Sequence, residues 1–255
     1  MPPERRIWLK PIVTSFGVPQ LPCPSCGETR LCFKEDSFRS TESKASLDKR
    51  RYIEDWHPIY TEFLFSGILE CKRCNEQICC CGRGYYEPVS YPDEDGDYQQ
   101  ELSEYFVPDY FYPPMLIFKP SQKVPLSIRK EIMRSFQVFF CDPNAAANHI
   151  RNVLEIILSD QRIANLTKNG KWRSLDQRII ELARASQENA DRASALRWIG
   201  NFASHPEGVK REDVLDAYEI LEFLLEDIYI AHRSIVAEKV RSIVDKKRPL
   251  SSAPS

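Results

Sequence analysis

The chain has no apolar run of about 18 residues or more, so no stretch reads as a membrane-spanning helix. It opens on Met1-Pro2-Pro3-Glu4-Arg5-Arg6 and continues in mixed sequence, without the apolar segment of a signal peptide. A soluble, cytoplasmic protein with no membrane partner is the expectation. Excess charge is missing too. The formal net charge is -2, which excludes a global basic field for nucleic acid and leaves only a local basic face. Histidine is scarce, four in all, and His57, His149 and His232 have no partner at metal-ligand spacing. An even cysteine count is absent: there are nine, which with no secretion signal argues against a disulfide framework. The acidic stretch Asp93-Glu94-Asp95-Gly96-Asp97 lacks the spacing and closing Glu of a calcium-binding EF-hand loop.

What is present describes an ordinary globular chain. Its 255 residues are 42% hydrophobic and 28% charged, enough for two modest domains. All cysteines but Cys141 lie between Cys23 and Cys81. Cys23-Pro24-Ser25-Cys26-Gly27 and Cys71-Lys72-Arg73-Cys74-Asn75 each place two thiolates two residues apart, followed by a residue suited to positive φ. Two such knuckles supply the four tetrahedral ligands of a structural Zn²⁺ site: Cys23, Cys26, Cys71 and Cys74. A redox role is disfavoured, because neither pair opens a helix in a βαβ unit.

Leu31–Phe33, Thr61–Leu69 and Gln77–Gly82 read as strands, and the polar stretch Ser37–Arg51 reads as an exposed loop. The layout is that of a zinc ribbon. Cys79, Cys80 and Cys81 alternate faces along a strand, so they cannot all reach one ion and read mainly as small apolar residues, as does Cys32. Before the first knuckle, Ile7, Trp8, Leu9, Ile12 and Val13 between prolines read as an extended lead-in. After the strands, Tyr85–Pro114 is acidic, aromatic and proline-rich. Its acidic part reads as a flexible loop, and its aromatics, too many for a free linker, read as packing on one or both domains.

From Val124 the pattern turns helical. One helix is expected over Pro125–Phe140. A second starts with Asn144 as N-cap and runs to Leu158, its Ala146, Ile150, Val153, Leu154 and Ile157 on one side. There Asn148, Arg151, Asn152 and Glu155 form a polar row in which Arg151 and Glu155 can pair. Ser174, with Gln177 three residues on, caps a third helix. A last helix over Glu212–Lys246, roughly 50 Å long, carries a heptad-like seam at Val214, Ala217, Leu221, Leu224, Ile228, Ala231 and Ile235. The expected fold is α+β: a zinc-ribbon-like β domain over 1–117 with its acidic and aromatic loop, a helical bundle over 118–249 with a long C-terminal helix, and a disordered tail over 250–255.

The candidate polar site lies in Leu196–Pro206, read as the last turns of a helix. Arg197, Asn201 and His205 are four apart and share a face. Leu196, Ile199, Phe202 and Ala203 take the opposite, apolar side. Gly200 leaves room for a second helix or a ligand. A cation, an amide and an imidazole in one row suit a phosphate ester, with Arg151 and Glu155 as supporting residues.

Val124-Pro125, Ala146-Ala147, Arg151 with Leu154-Glu155, and Arg197 with Gly200-Asn201 and Ala203-Ser204-His205 carry a resemblance. Over 118–235 the chain resembles an uncharacterised helical family of restriction endonuclease subunits and stand-alone bacterial proteins, whose members often carry an N-terminal zinc-knuckle segment. That family is similar to the HEPN (higher eukaryotes and prokaryotes nucleotide-binding) domains, many of them metal-independent, dimeric ribonucleases. The resemblance implies a HEPN-like bundle, a homodimer, and RNA, another nucleic acid or a defence-system protein as partner. Asn201-x-x-x-His205 matches the second part of the HEPN motif. The motif's Arg position holds Gly200, and Arg197 stands a turn earlier. Two functions are therefore expected. The first is a non-catalytic module of a bacterial defence or restriction system that binds a partner or nucleic acid. The alternative is a ribonuclease in which His205 is the acid or base, Arg197 stabilises phosphorane charge and Asn201 orients the phosphate.

Overall fold

The structure, a computed structural model, describes residues 5–13, 17–92, 98–167, 169–230, 232–247 and 249. Two compact units divide the chain. The first takes 1–117, 133–146 and 210–212, and the second takes 118–132, 147–209 and 213–255.

The first unit holds an antiparallel sheet of β1 (Ile12–Val13), β2 (Leu31–Phe33), β3 (Arg39–Glu42), β4 (Glu62–Cys71), β5 (Gln77–Pro92) and β6 (Tyr98–Tyr112). The order is β1-β6-β5-β4-β2, and β3 also pairs with β4. β2 and β3 share one edge of β4 end to end, Phe33 opposite Leu69 and Arg39 opposite Ser66. Ser37 bridges the gap between them: Ile68 N donates to its hydroxyl at 3.2 Å, so a side chain continues the ladder.

Ser37–Arg51, expected as an exposed loop, therefore contains β3 and a short helix α1 (Lys44–Arg50). Ser43 caps that helix by accepting from Ser46 N at 3.1 Å. Ser46 is itself fully buried, and its hydroxyl accepts from Glu62 N at 3.2 Å and donates to Glu42 at 2.8 Å. The polarity of this stretch is that of caps and ladder bonds. The expected extended lead-in is a 3-10 turn over Arg5–Leu9. It does pack: Trp8 and Ile12 are buried, with Trp8 edge-on to Phe140 at 6.2 Å.

The largest difference lies in Tyr85–Pro114. Its aromatics do pack, but it is not a loop: it is the greater part of a long hairpin, β5 and β6, paired from Cys79 opposite Tyr112 to Pro92 opposite Tyr98. Its prolines stand where the ladder is one-sided. Pro88 and Pro92 lie beyond Tyr85 opposite Glu62, where β4 ceases to flank β5. Pro108 lies past the reach of β1 and opposite the bulge at Cys81/Gly82. A missing N–H costs little at such places. The aromatics pair across strands: Tyr85 stacks on Tyr105 at 5.9 Å, and fully buried Phe106 meets Phe38, Phe65 and Phe63 at 5.0, 5.2 and 6.1 Å. The Asp93–Asp97 stretch and the 250–255 tail lie outside the described residues.

The helices are α2 (Leu126–Val138), α3 (Pro143–Asp160), α4 (Leu175–Ala183), α5 (Gln187–Phe202), α6 (Arg211–Leu225) and α7 (His232–Lys246), with a π-helical turn Glu226–Ile230 after α6. Asp142, not Asn144, caps α3: Ala145 N donates to its carboxylate at 2.9 Å, and Pro143 takes the first helical position. Ile150, Val153, Leu154 and Ile157 are buried as expected, each contributing about 1.5–3 kcal/mol. Ser174 and Gln177 form the expected capping box.

The last helix is interrupted by the π turn. Val214, Ala217, Leu221 and Leu224 are fully buried, whereas Ile228 in the π turn is half-buried. The extra residue of a π turn rotates the seam off its register. Ala231 and the Ile235 side chain lie outside the described residues. No helix among the described residues is long and apolar enough to cross a membrane.

One cation sits on the apolar face of α4. Arg178 is buried beside Leu175, Ile179 and Leu182. Its guanidinium donates to Ile163 O at 3.0 and 3.2 Å, Ser159 Oγ at 2.9 Å and Glu155 O at 3.2 Å. It thereby satisfies groups at the C-terminal end of α3, although burial lowers its pKa. Arg178→Met should cost about 2–4 kcal/mol by orphaning those acceptors. Urea denaturation should show a lower midpoint at unchanged slope.

Candidate functional site

The two knuckles are built alike. In the first, Cys23 N donates to Glu28 O at 2.9 Å and Gly27 N to Cys23 O at 2.8 Å. In the second, Cys71 N donates to Glu76 O and Asn75 N to Cys71 O, both at 2.9 Å. Gly27 and Asn75 take the expected left-handed conformation, with φ of 79° and 60°. Each turn aims two sulfurs the same way. β2 and β4 bring the turns together, pairing Leu31 with Cys71, and Lys72 N adds a bond to Arg30 O at 3.0 Å.

The four sulfurs of Cys23, Cys26, Cys71 and Cys74 lie within 4.8 Å of one another. Cys23 Sγ is 3.7 Å from Cys74 Sγ, and Cys26 Sγ is 3.6 Å from Cys71 Sγ. Both separations far exceed the ~2.05 Å of a disulfide. They match the ~3.8 Å between sulfurs set tetrahedrally about one ion at ~2.3 Å. The donor set therefore fits a metal ion, and the cluster is compatible with a zinc-ribbon-like site.

The protein alone does not ionise all four thiols. At Cys71 burial opposes the thiolate, but the N–H groups of Cys74 and Arg73 and the Cys26 thiol outweigh it and bring the pKa to about 7. At Cys74 the Glu76 N–H favours the thiolate, yet burial and the other thiols push the pKa up to about 12. A divalent cation bound there would supply the charge that the remaining thiolates need.

The other thiols stand apart from this cluster. Cys79 and Cys81 are exposed and Cys80 is buried, the expected alternation. Burial, then the neighbouring Cys81 and Cys79, push Cys80 up to about 12, so it is a packing residue. Cys32, expected in the core, is half-buried, with its thiol 3.7 Å from Glu70 O.

The helical row lies at the C-terminal end of α5. α5 ends at Phe202, so Arg197 and Asn201 lie on it and His205 lies beyond it. Pro206 disfavours helix at His205, whose N–H instead closes a short turn on Phe202 O at 2.9 Å. The His205 ring is exposed and stacks on Phe202 at 5.3 Å. Phe202, placed by pattern on the apolar side, is 44% exposed. Arg197 pairs with Asp176 at 2.9 Å, and its guanidinium lies 4.8 Å from the centre of the Trp198 ring. The Asn201 side chain is half-buried and makes no hydrogen bond among the described residues.

Gly200 does admit a second helix. A Cβ there would lie 2.9 Å from Arg151 Cβ and 3.3 Å from Ala147 O, so α3 closes directly on it. Arg151 thus reaches the α5 surface, and Nε of Arg151 and of Arg197 are both buried without a hydrogen-bond partner. Arg151 and Glu155 form no ion pair among the described residues; the nearby cation that Glu155 feels is Arg178.

Sequence reasoning missed a further cluster. His149 Nδ1 lies 2.8 Å from Glu131 Oε1, and Asn152 Nδ2 donates to the same oxygen at 3.1 Å. Glu131 is buried in register with Ile128 and Ile132 on α2. A charge at a core-facing helical position was the available signal.

Residues 13–111 match a family described as a domain of unknown function (DUF8608), and residues 133–248 match a second described as a domain of unknown function (DUF4145). The first match spans all four clustered cysteines and most of the hairpin, the second α3 to α7. No curated protein and no solved structure matches the chain.

Two outcomes are expected. Cys71→Ser protein should lose most of the metal that the natural chain carries, measured by elemental analysis after gel filtration. Gly200→Ala should destabilise by about 1–3 kcal/mol despite alanine's better helix propensity, because Arg151 must shift. Its thermal midpoint should fall, and that of Gly200→Val should fall further.

Proposed function

We propose that the protein is a zinc-stabilised binding module. The cysteine cluster holds a structural Zn²⁺ that fixes the sheet, and a HEPN-like helical unit engages a protein or nucleic-acid partner. Four sulfurs at tetrahedral spacing carry the zinc reading, because borderline-soft, thiolate-rich four-coordinate sites suit that ion. The setting in a bacterial defence or restriction system comes from the resemblance over 118–235 alone. The expected homodimer is supported by α7, whose Val240, Ile243 and Val244 are exposed at helical spacing.

The engagement of the row supports a binding role over a catalytic one. Arg197 is committed to Asp176 and Trp198, and His205 lies past the helix end. A phosphate there would have to displace a carboxylate from Arg197. The ribonuclease alternative draws on the unpartnered, buried Nε atoms of Arg151 and Arg197, donors that an anion could satisfy.

Incubation of the purified chain with single-stranded and structured RNA tests this. The expected outcome is no cleavage by the natural chain or by His205→Ala. Cleavage by the natural chain that His205→Ala abolishes would replace the binding reading with the ribonuclease one.

A further inference from the structure

The second unit contains a cleft of about 400 Å³ beside the polar row, whose Arg197 and His205 stack on its two rings. Its walls are Trp198, Ile199 and Phe202 of α5, Val209, and Asp213 and Asp216 of α6. Such a volume lies at the small end of ligand sites. Among the described residues these walls offer rings, carboxylates and aliphatic side chains. Trp198 is 63% exposed and Phe202 44%, so both rings keep surface open to solvent beyond what Arg197 and His205 cover. Both carboxylates are exposed, and no basic residue among the described residues is part of the lining.

Helix electrostatics explain Asp213, in the first turn of α6, which meets the positive end of that helix. They do not explain Asp216, which is past that turn and makes no ion pair or hydrogen bond among the described residues. Ring faces attract cations through their quadrupole, within about 6 Å, and carboxylates add charge. The Trp198 ring already shows that capacity, since Arg197 lies over it at 4.8 Å. Ile199 and Val209 suit an aliphatic stem behind a cationic head. Phosphate is disfavoured by the two carboxylates.

We infer that this cleft receives a basic side chain of a partner protein, most favourably an arginine, whose planar guanidinium stacks on aromatic rings. The inference rests on the binding-module reading and names the partner's chemistry.

Two-dimensional NMR of the full chain, following the Trp198 indole N–H assigned through Trp198→Phe, tests it. The probes are the capped tripeptides Ala-Arg-Ala and Ala-Glu-Ala, spermidine and a uridine dodecamer. The arginine peptide should shift the Trp198 signal saturably, and the glutamate peptide should not. In Asp213→Asn/Asp216→Asn protein, whose other signals should superimpose on the natural ones, affinity for the arginine peptide should fall about tenfold. Trp198→Phe should bind more weakly than the natural chain but detectably, read from neighbouring amides. Unchanged affinity in the double variant would overturn the inference. So would tighter binding of the uridine dodecamer, which would assign the cleft to nucleic acid, or of spermidine, which would assign it to a free polyamine. Zinc content and RNA cleavage are read in separate assays, so failure of this inference is distinguishable from failure of the broader reading.

Discussion

The convergence of two cysteine turns from distant parts of the chain constrains one end of the sheet. Cys26 and Cys71 are separated by 45 positions, Cys23 and Cys74 by 51. Closing such a loop costs conformational entropy, and β2, only three residues long, offers little to offset it. A metal held by the four cysteines would be the strong contact at that end. Once Leu31 is fixed opposite Cys71, β2, the Ser37 bridge, β3 and the Ser43 cap follow in order along a single edge of β4.

The cysteine turns were legible because their chemistry is local. A Cys-x-x-Cys step followed by Gly or Asn states its own backbone geometry, and Gly27 and Asn75 adopt it. The capping box of α4 was legible for the same reason. The hairpin was hidden by the same kind of local signal read without its context. Pro88, Pro92 and Pro108 argue against a strand unless it is known that their neighbours leave one side of the ladder unpaired. That knowledge belongs to the sheet order and not to the residues. The α3 start shows the smaller form of this problem: Asp142-Pro143-Asn144 offers two capping residues, and the proline decides in favour of the one before it.

The polar residues of the helices divide along the same line. Gly200 promised a close neighbour, and α3 supplies one. The partners of the charged groups could not be read, because each comes from another helix. Asp176 of α4 takes Arg197, and the end of α3 takes Arg178. Glu131 of α2 takes His149 and Asn152. A four-residue repeat predicts a shared face but not what that face meets. The shared face of Arg197 and His205 also requires the helix to continue, and it stops at Phe202.

The outer ribbon of β5 and β6, from Glu87 opposite Ser103 to Pro92 opposite Tyr98, hangs on no third strand among the described residues. Its length is therefore uncoupled from the packed interior. Residues could be gained or lost there two at a time, one on each arm, and every side chain nearer the base would keep its face and its partner. Related chains could carry ribbons of very different reach on an unaltered scaffold, with the change in size confined to this one appendage.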